Sequence, residues 1–115
     1  MDQTQAAELV RAHVRAFDER DLDGLLRTLA DDAVWTTGRT TVRGRADLAA
    51  FFAGALAGLD ASLAVRSLVT DGRIAAAELT ETFGGTRAVP IAGFYELAGG
   101  RIVRARIYRE GSADA

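Results

Sequence analysis

Residues 62–109 read SLAVRSLVTDGRIAAAELTETFGGTRAVPIAGFYELAGGRIVRARIYR. Apolar and polar side chains alternate through most of this stretch, the spacing of strands with one buried face. Three pairs interrupt it: Asp71-Gly72, Gly84-Gly85 and Gly99-Gly100. Such pairs accept the positive φ that tight hairpin turns require. Four strands are therefore expected, at Ser62–Thr70, Arg73–Phe83, Thr86–Leu97 and Arg101–Arg109, joined as an antiparallel meander. Pro90 has no N–H to give a ladder, so it marks an edge, a bulge or a strand start.

Towards the N-terminus the period becomes helical. Ala6, Leu9, Val10, His13, Val14 and Phe17 form one stripe, predicting a helix over about Gln3 to Arg20. Asp2 and Gln5 have capping-box spacing at its start. Asp21 is a good N-cap for a second helix with Leu22, Leu25, Leu26 and Leu29 on one face. Asp31-Asp32 interrupts that pattern, and Ala33–Thr37 reads as a strand. Gly38 to Gly44 is a turn or short hairpin, and Ala46 to Leu56 a third helix carrying Leu48, Phe51, Phe52 and Leu56. Helices followed by an antiparallel meander make an α+β domain. A long meander curls, and three amphipathic helices can cover its concave face and leave a mouth. One domain is expected over residues 1–110, with a polar tail at 111–115.

Composition narrows the function. The chain of 115 residues is 49% hydrophobic and 26% charged, with a net charge of −2. That balance offers no electrostatic footprint for nucleic acid or an anionic membrane. There is no cysteine, which excludes disulfides, zinc-thiolate sites and thiol nucleophiles. Met1-Asp2-Gln3-Thr4 has neither a basic region nor an apolar run, so no signal peptide is expected. No segment has the apolar length of a membrane span. A cytoplasmic protein is the expectation.

The element order, with Asp31-Asp32-Ala33-Val34-Trp35, Val42-Arg43-Gly44-Arg45 before a helix, and Gly99-Gly100-Arg101-Ile102, resembles the SnoaL-like group of the nuclear transport factor 2-like superfamily. The resemblance runs from about Leu9 to Tyr108. It implies a cone-shaped α+β barrel, three helices packed on a curved antiparallel sheet around a pocket. It also implies a homodimer. The group includes ketosteroid isomerases, limonene epoxide hydrolases and polyketide cyclases, together with binding proteins, so the fold alone does not choose a chemistry.

Matched to the isomerases, His13 stands where a tyrosine donates to the developing oxyanion. Their aspartate base falls near Thr37, and their second acid near Ala92 or Gly93, so neither carboxylate is present. Matched to the epoxide hydrolases through Val89–Leu97 and Gly99–Ile102, Glu81 stands for the first aspartate. Leu79 stands for the arginine, Ile107 for the second aspartate, Trp35 for the tyrosine and Thr37 for the asparagine. Both motif sets are incomplete.

The candidate catalytic residues are Glu81 and His13. His13 lies on the apolar face of the first helix, which suits an acid, a base or a donor to a ligand carbonyl; the alternative is a core histidine satisfied by a backbone carbonyl. Glu81 shares a strand face with Leu79 and Phe83, a desolvating setting useful for proton transfer; the alternative is a rim carboxylate or a partner of Arg109. On the last strand Val103, Ala105, Ile107 and Arg109 read as one face, the pocket wall, with Arg109 near the mouth. It could hold an anionic ligand or Glu81, or be a solvated strand end. Trp35, Thr37, Phe17, Phe52, Leu79, Ile91 and Ile107 are the remaining candidates for ligand contact, with core packing as their alternative. No His/Asp/Glu cluster has metal-ligand spacing, and no metal or organic cofactor is implied.

Two functions follow as expectations. The first is an isomerase, cyclase or hydrolase acting on a small hydrophobic oxygenated compound of polyketide, steroid or terpenoid type. The second is a non-catalytic ligand-binding or dimerisation module of the same fold.

Overall fold

The computed structural model describes residues 1–58 and 60–109; the tail expected at 111–115 lies outside the described residues. Helix α1 spans Gln3–Asp18 and starts in the expected capping box. Asp2 accepts from the Gln5 N–H at 2.7 Å, and Gln5 accepts from the Asp2 N–H at 3.3 Å. The helix stops short of Arg20 because the Asp21 N–H turns back to the Ala16 carbonyl at 2.8 Å. Arg20 there adopts φ 59°, the left-handed conformation that closes a helix.

Helix α2 (Leu22–Arg27) begins at Asp21, whose carboxylate accepts from the Gly24 N–H at 3.0 Å. Leu29, expected on its apolar face, instead opens strand β1 (Leu29–Thr37). The Thr28 carbonyl accepts from the Ile102 N–H at 2.8 Å, committing the chain to the sheet at that point. Strand β2 (Thr40–Arg43) completes a short hairpin, and helix α3 spans Arg45–Gly58. The meander follows as β3 (Ala61–Thr70), β4 (Ile74–Phe83), β5 (Arg87–Ala98) and β6 (Arg101–Arg109), each end within one residue of the expected bounds.

The sheet order is β2-β1-β6-β5-β4-β3. The meander is antiparallel throughout, but β1 lies parallel to β6, with Trp35 opposite Ala105 and Thr37 opposite Ile107. The sheet is therefore mixed rather than purely antiparallel. It is also open: β2 and β3 are its edges, so it is not a closed barrel. Pro90 pairs with Thr80 on β4, one position before the Ile91–Arg109 pair on β6.

The face assignment of β6 changes at one point. Leu97 lies opposite Ile102 and Glu96 opposite Arg104, so Val103 is an extra residue, a bulge. Ile102 is consequently buried and Val103, expected on the inner wall, is not. Beyond the bulge Ala105 and Ile107 face inward as expected. The core lies between this concave face and the helices, with Val10, Leu25, Leu48, Leu79 and Ile102 almost wholly buried.

Candidate functional site

One cavity of about 90 Å³ opens between the helices and the sheet. From α1 come His13 and Phe17, from α3 Phe52, and from β1 Trp35 and Thr37. The meander contributes Leu79 and Glu81 from β4, Ile91 from β5, and Ile107 and Arg109 from β6. Strand alternation brings the pairs Trp35/Thr37, Leu79/Glu81 and Ile107/Arg109 to the same side of the sheet. Every candidate residue singled out in the sequence therefore lines the same space.

The polar groups occupy two separate places. At the rim, Arg109 Nε donates to Glu81 Oε1 at 3.1 Å and Nη1 donates to Thr37 Oγ1 at 2.6 Å. Arg109 reaches across β5 to do this, linking β6 to β4 and β1. The Glu81 side chain is 3% exposed and that of Arg109 28% exposed, so the carboxylate's charge is balanced inside the protein while the guanidinium keeps access to water. Glu81 Oε2 has no hydrogen-bond partner among the described residues.

Deeper in, His13 Nδ1 lies 2.9 Å from Thr28 Oγ1. Thr28 has one hydroxyl proton, and it goes to the Leu25 carbonyl at 2.6 Å. Thr28 must therefore accept from His13, which places the imidazole proton on Nδ1 and leaves Nε2 as a bare acceptor. Burial pushes the imidazole pKa down from 6.5 to about 4, so the ring is neutral near pH 7. Aromatic rings close around it. The Trp35 centroid is 5.2 Å away, that of Tyr95 6.1 Å and that of Phe52 6.2 Å. No hydrogen bond joins His13 to Glu81: the imidazole is held by Thr28 and the carboxylate by Arg109. They act on the cavity from separate positions rather than as a bonded dyad.

Among the described residues no three His, Asp or Glu side chains converge on a metal-sized space. No described helix is long and apolar enough to cross a membrane.

A model of the SnoaL-like domain matches residues 10–105, most of the chain. The chain belongs to the SnoaL-like domain family. Among curated proteins no sequence matches it. Among solved structures, this SnoaL-like domain is similar to a candidate ketosteroid isomerase from Kribbella flavida at 23% identity and TM-score 0.87, covering 100% of this chain and 84% of that one. It is similar to a limonene-epoxide-hydrolase-like epoxide hydrolase from M. tuberculosis at 25% identity and TM-score 0.83, covering 94% and 84%. A candidate polyketide cyclase from Sinorhizobium meliloti is 22% identical with TM-score 0.79, covering 88% and 94%. These likenesses place the fold among nuclear transport factor 2-like and cystatin-like structures.

The SnoaL-like pocket also contains residues that sequence reasoning passed over: Phe51, Leu63 and above all Tyr95. Tyr95 is 1% exposed, and burial raises its phenol well above the ordinary value, so it stays a neutral O–H donor. A signal for it was present. Tyr95 lies four residues beyond Ile91 on an alternating strand, so the two share a face.

Proposed function

We propose that this SnoaL-like domain is a pocket enzyme of the isomerase, cyclase or hydrolase type, moving a proton on a small hydrophobic, oxygen-bearing molecule. The observation that carries this reading is the Glu81 carboxylate, almost fully buried against an apolar cavity with one oxygen held by Arg109 and the other unengaged. A carboxylate with one oxygen facing the cavity is placed to take a proton from a bound molecule or return it. Arg109 fixes the carboxylate and Thr37 fixes Arg109. His13 serves as proton partner through Nε2; its tautomer removes it from the role of oxyanion donor. Trp35 and Ile107 form apolar walls. The similar structures named as isomerase, epoxide hydrolase and polyketide cyclase support this range of chemistry.

Cavity size selects among the substrate classes. A cavity of about 150 Å³ holds benzene, and this one is about 90 Å³. The end of a polyketide chain suits it better than a steroid or a whole terpenoid. Turnover of an identified substrate by Glu81→Gln and His13→Ala is the test. Loss in both supports the assignment, and unchanged turnover rejects it.

A second reading, ligand binding without chemistry, is favoured by the rim network: the Arg109 guanidinium is already engaged with Glu81 and Thr37. A thermal-shift screen followed by product analysis separates the two. A ligand recovered unchanged after long incubation supports binding alone.

We also propose a homodimer through the outer sheet face. That face carries the polar or charged side chains of Glu78, Thr80, Thr82, Arg104, Arg106 and Tyr108. In the structure Phe94 packs edge-on against Tyr108 at 5.9 Å, and with Ile74 both are exposed, so an apolar centre supports the contact. Light scattering should show a dimer that Phe94→Glu splits; a monomer at micromolar concentration counts against it. We place the protein in the cytoplasm, and its recovery from a membrane or exported fraction would count against that.

A further inference from the structure

The Tyr95 ring folds back over Gly93. A Cβ added at Gly93 would come within 2.7 Å of the ring carbons Cε2 and Cζ, so only glycine leaves the ring its place. The strand neighbours of Tyr95 are Ala75 and Ala105, and those of Gly93 are Ala77 and Ile107. The small side chains of Ala75, Ala77 and Ala105 thus clear a bay for one phenol. Packing alone would be served by phenylalanine, and the hydroxyl is what needs explaining. A buried hydroxyl without a partner is costly. Among the described residues Tyr95 Oη has no protein partner, and no fully buried side-chain oxygen or nitrogen is left unpaired. Oη must therefore touch the open space of the cavity that Tyr95 lines.

The same reasoning applies to His13 Nε2. Its proton is on the other nitrogen, it has no partner among the described residues, and its ring stands edge-on to Tyr95 at 6.1 Å. One donor and one acceptor, both neutral, thus face the inner part of the cavity, apart from Glu81, Arg109 and Thr37 at the rim. An anionic head group would meet Glu81 there, and the guanidinium that could hold it is engaged with Glu81 and Thr37. A ketone oxygen can accept from Tyr95 but gives nothing to Nε2. An alcohol satisfies both, accepting from Tyr95 Oη–H and donating its own proton to Nε2.

We propose that Tyr95 and His13 form a donor–acceptor pair that binds the hydroxyl group of a small neutral alcohol, in preference to the matching ketone. This rests on the reading of the cavity as the ligand site, and it is independent of proton transfer by Glu81. Tyr95 and His13 are binding residues in this role.

The probes are cyclobutanol and cyclobutanone, titrated into the intact protein and followed by nuclear magnetic resonance. Cyclobutanol should bind about tenfold more tightly, the worth of one hydrogen bond that only the alcohol can make. Tyr95→Phe should weaken both probes, whereas His13→Asn should weaken only the alcohol. A second readout needs no variant. His13 is the only histidine, so its Nε2 resonance is unambiguous; cyclobutanol should shift it and cyclobutanone should not. Equal affinities, an unmoved Nε2 resonance, or no saturable binding of cyclobutanol would each overturn the proposal. Glu81→Gln keeps the two readings apart. Alcohol selectivity retained in that variant, with turnover also unchanged, defeats only the proton-transfer role of Glu81.

Discussion

At the scale of single residues, the ion pair at the rim is asymmetric, and its variants should be too. Glu81 is enclosed while Arg109 reaches water. Removing the arginine strands a charge, which for a buried pair costs about 3 kcal/mol. Replacing the carboxylate leaves an amide oxygen that still accepts from Nε and a guanidinium that can turn to solvent, at a cost of about 1 kcal/mol. Arg109→Met should therefore lower urea stability more than Glu81→Gln, and adding Glu81→Leu should recover part of the Arg109→Met loss. Equal effects would contradict this reading of the pair. His13 sets the response to acid. Unfolded, it binds a proton near 6.5; folded, only near about 4. Between these values the unfolded chain holds more protons, so this contribution is complete above pH 6.5 and declines as pH falls towards 4. The gap is worth on the order of 3 kcal/mol. His13→Leu should flatten that part of the stability profile, measured by urea midpoints from pH 7.5 to 4.5.

Elements meet at a few decisive atoms. Thr28 closes α2, begins the path into β1 and orients His13 on α1. Thr28→Val keeps the shape but deprives the imidazole N–H of its partner, while the Leu25 carbonyl loses the hydroxyl and keeps the residue-28 N–H at 3.1 Å. A loss of about 2 kcal/mol is expected, with a changed His13 tautomer ratio visible in its nitrogen resonances. The same scale shows what could be read in advance. Alternation within a strand placed Leu79 with Glu81 and Ile107 with Arg109, because the period of two is a local property of the chain. It misplaced Val103, because a bulge resets the alternation without any local mark in the sequence. Leu29 was equally ambiguous, an apolar residue that suits the next turn of a helix or the first position of a strand. Tyr95 was passed over although its face was legible; its significance depends on Ala75, Ala77 and Ala105 from two other strands, and those neighbours are known only once the register is.

For the whole molecule, order along the chain revealed the layers but not all of the neighbours. Hairpin turns announce that β3 to β6 lie side by side, whereas nothing near Trp35 announces that β1 will lie beside β6. Cavity size was also beyond reach, since it is the space left where α1 and α3 pack against β1 and β3 to β6. It makes a prediction of its own. Ligands of cyclobutanol size should raise the melting temperature saturably, while a bicyclic alcohol such as 2-naphthol should do so only after Phe51→Ala enlarges the space. Saturable binding of the naphthol to the unaltered protein would show that α3 yields more readily than its packing implies.

The parallel pairing of β1 with β6 has a consequence for how the chain is born. Emerging from the ribosome, residues 29–37 have their hairpin partner β2 at once, but the strand that will flank them on the other side is the last to appear. Until then Trp35 has no Ala105 beside it, and Thr37 has no Arg109 to hold. Contacts so distant in sequence are slow to form. The arrival of β6 therefore completes the sheet and assembles the pocket in one event, and the lone tryptophan is placed to report that event by its fluorescence.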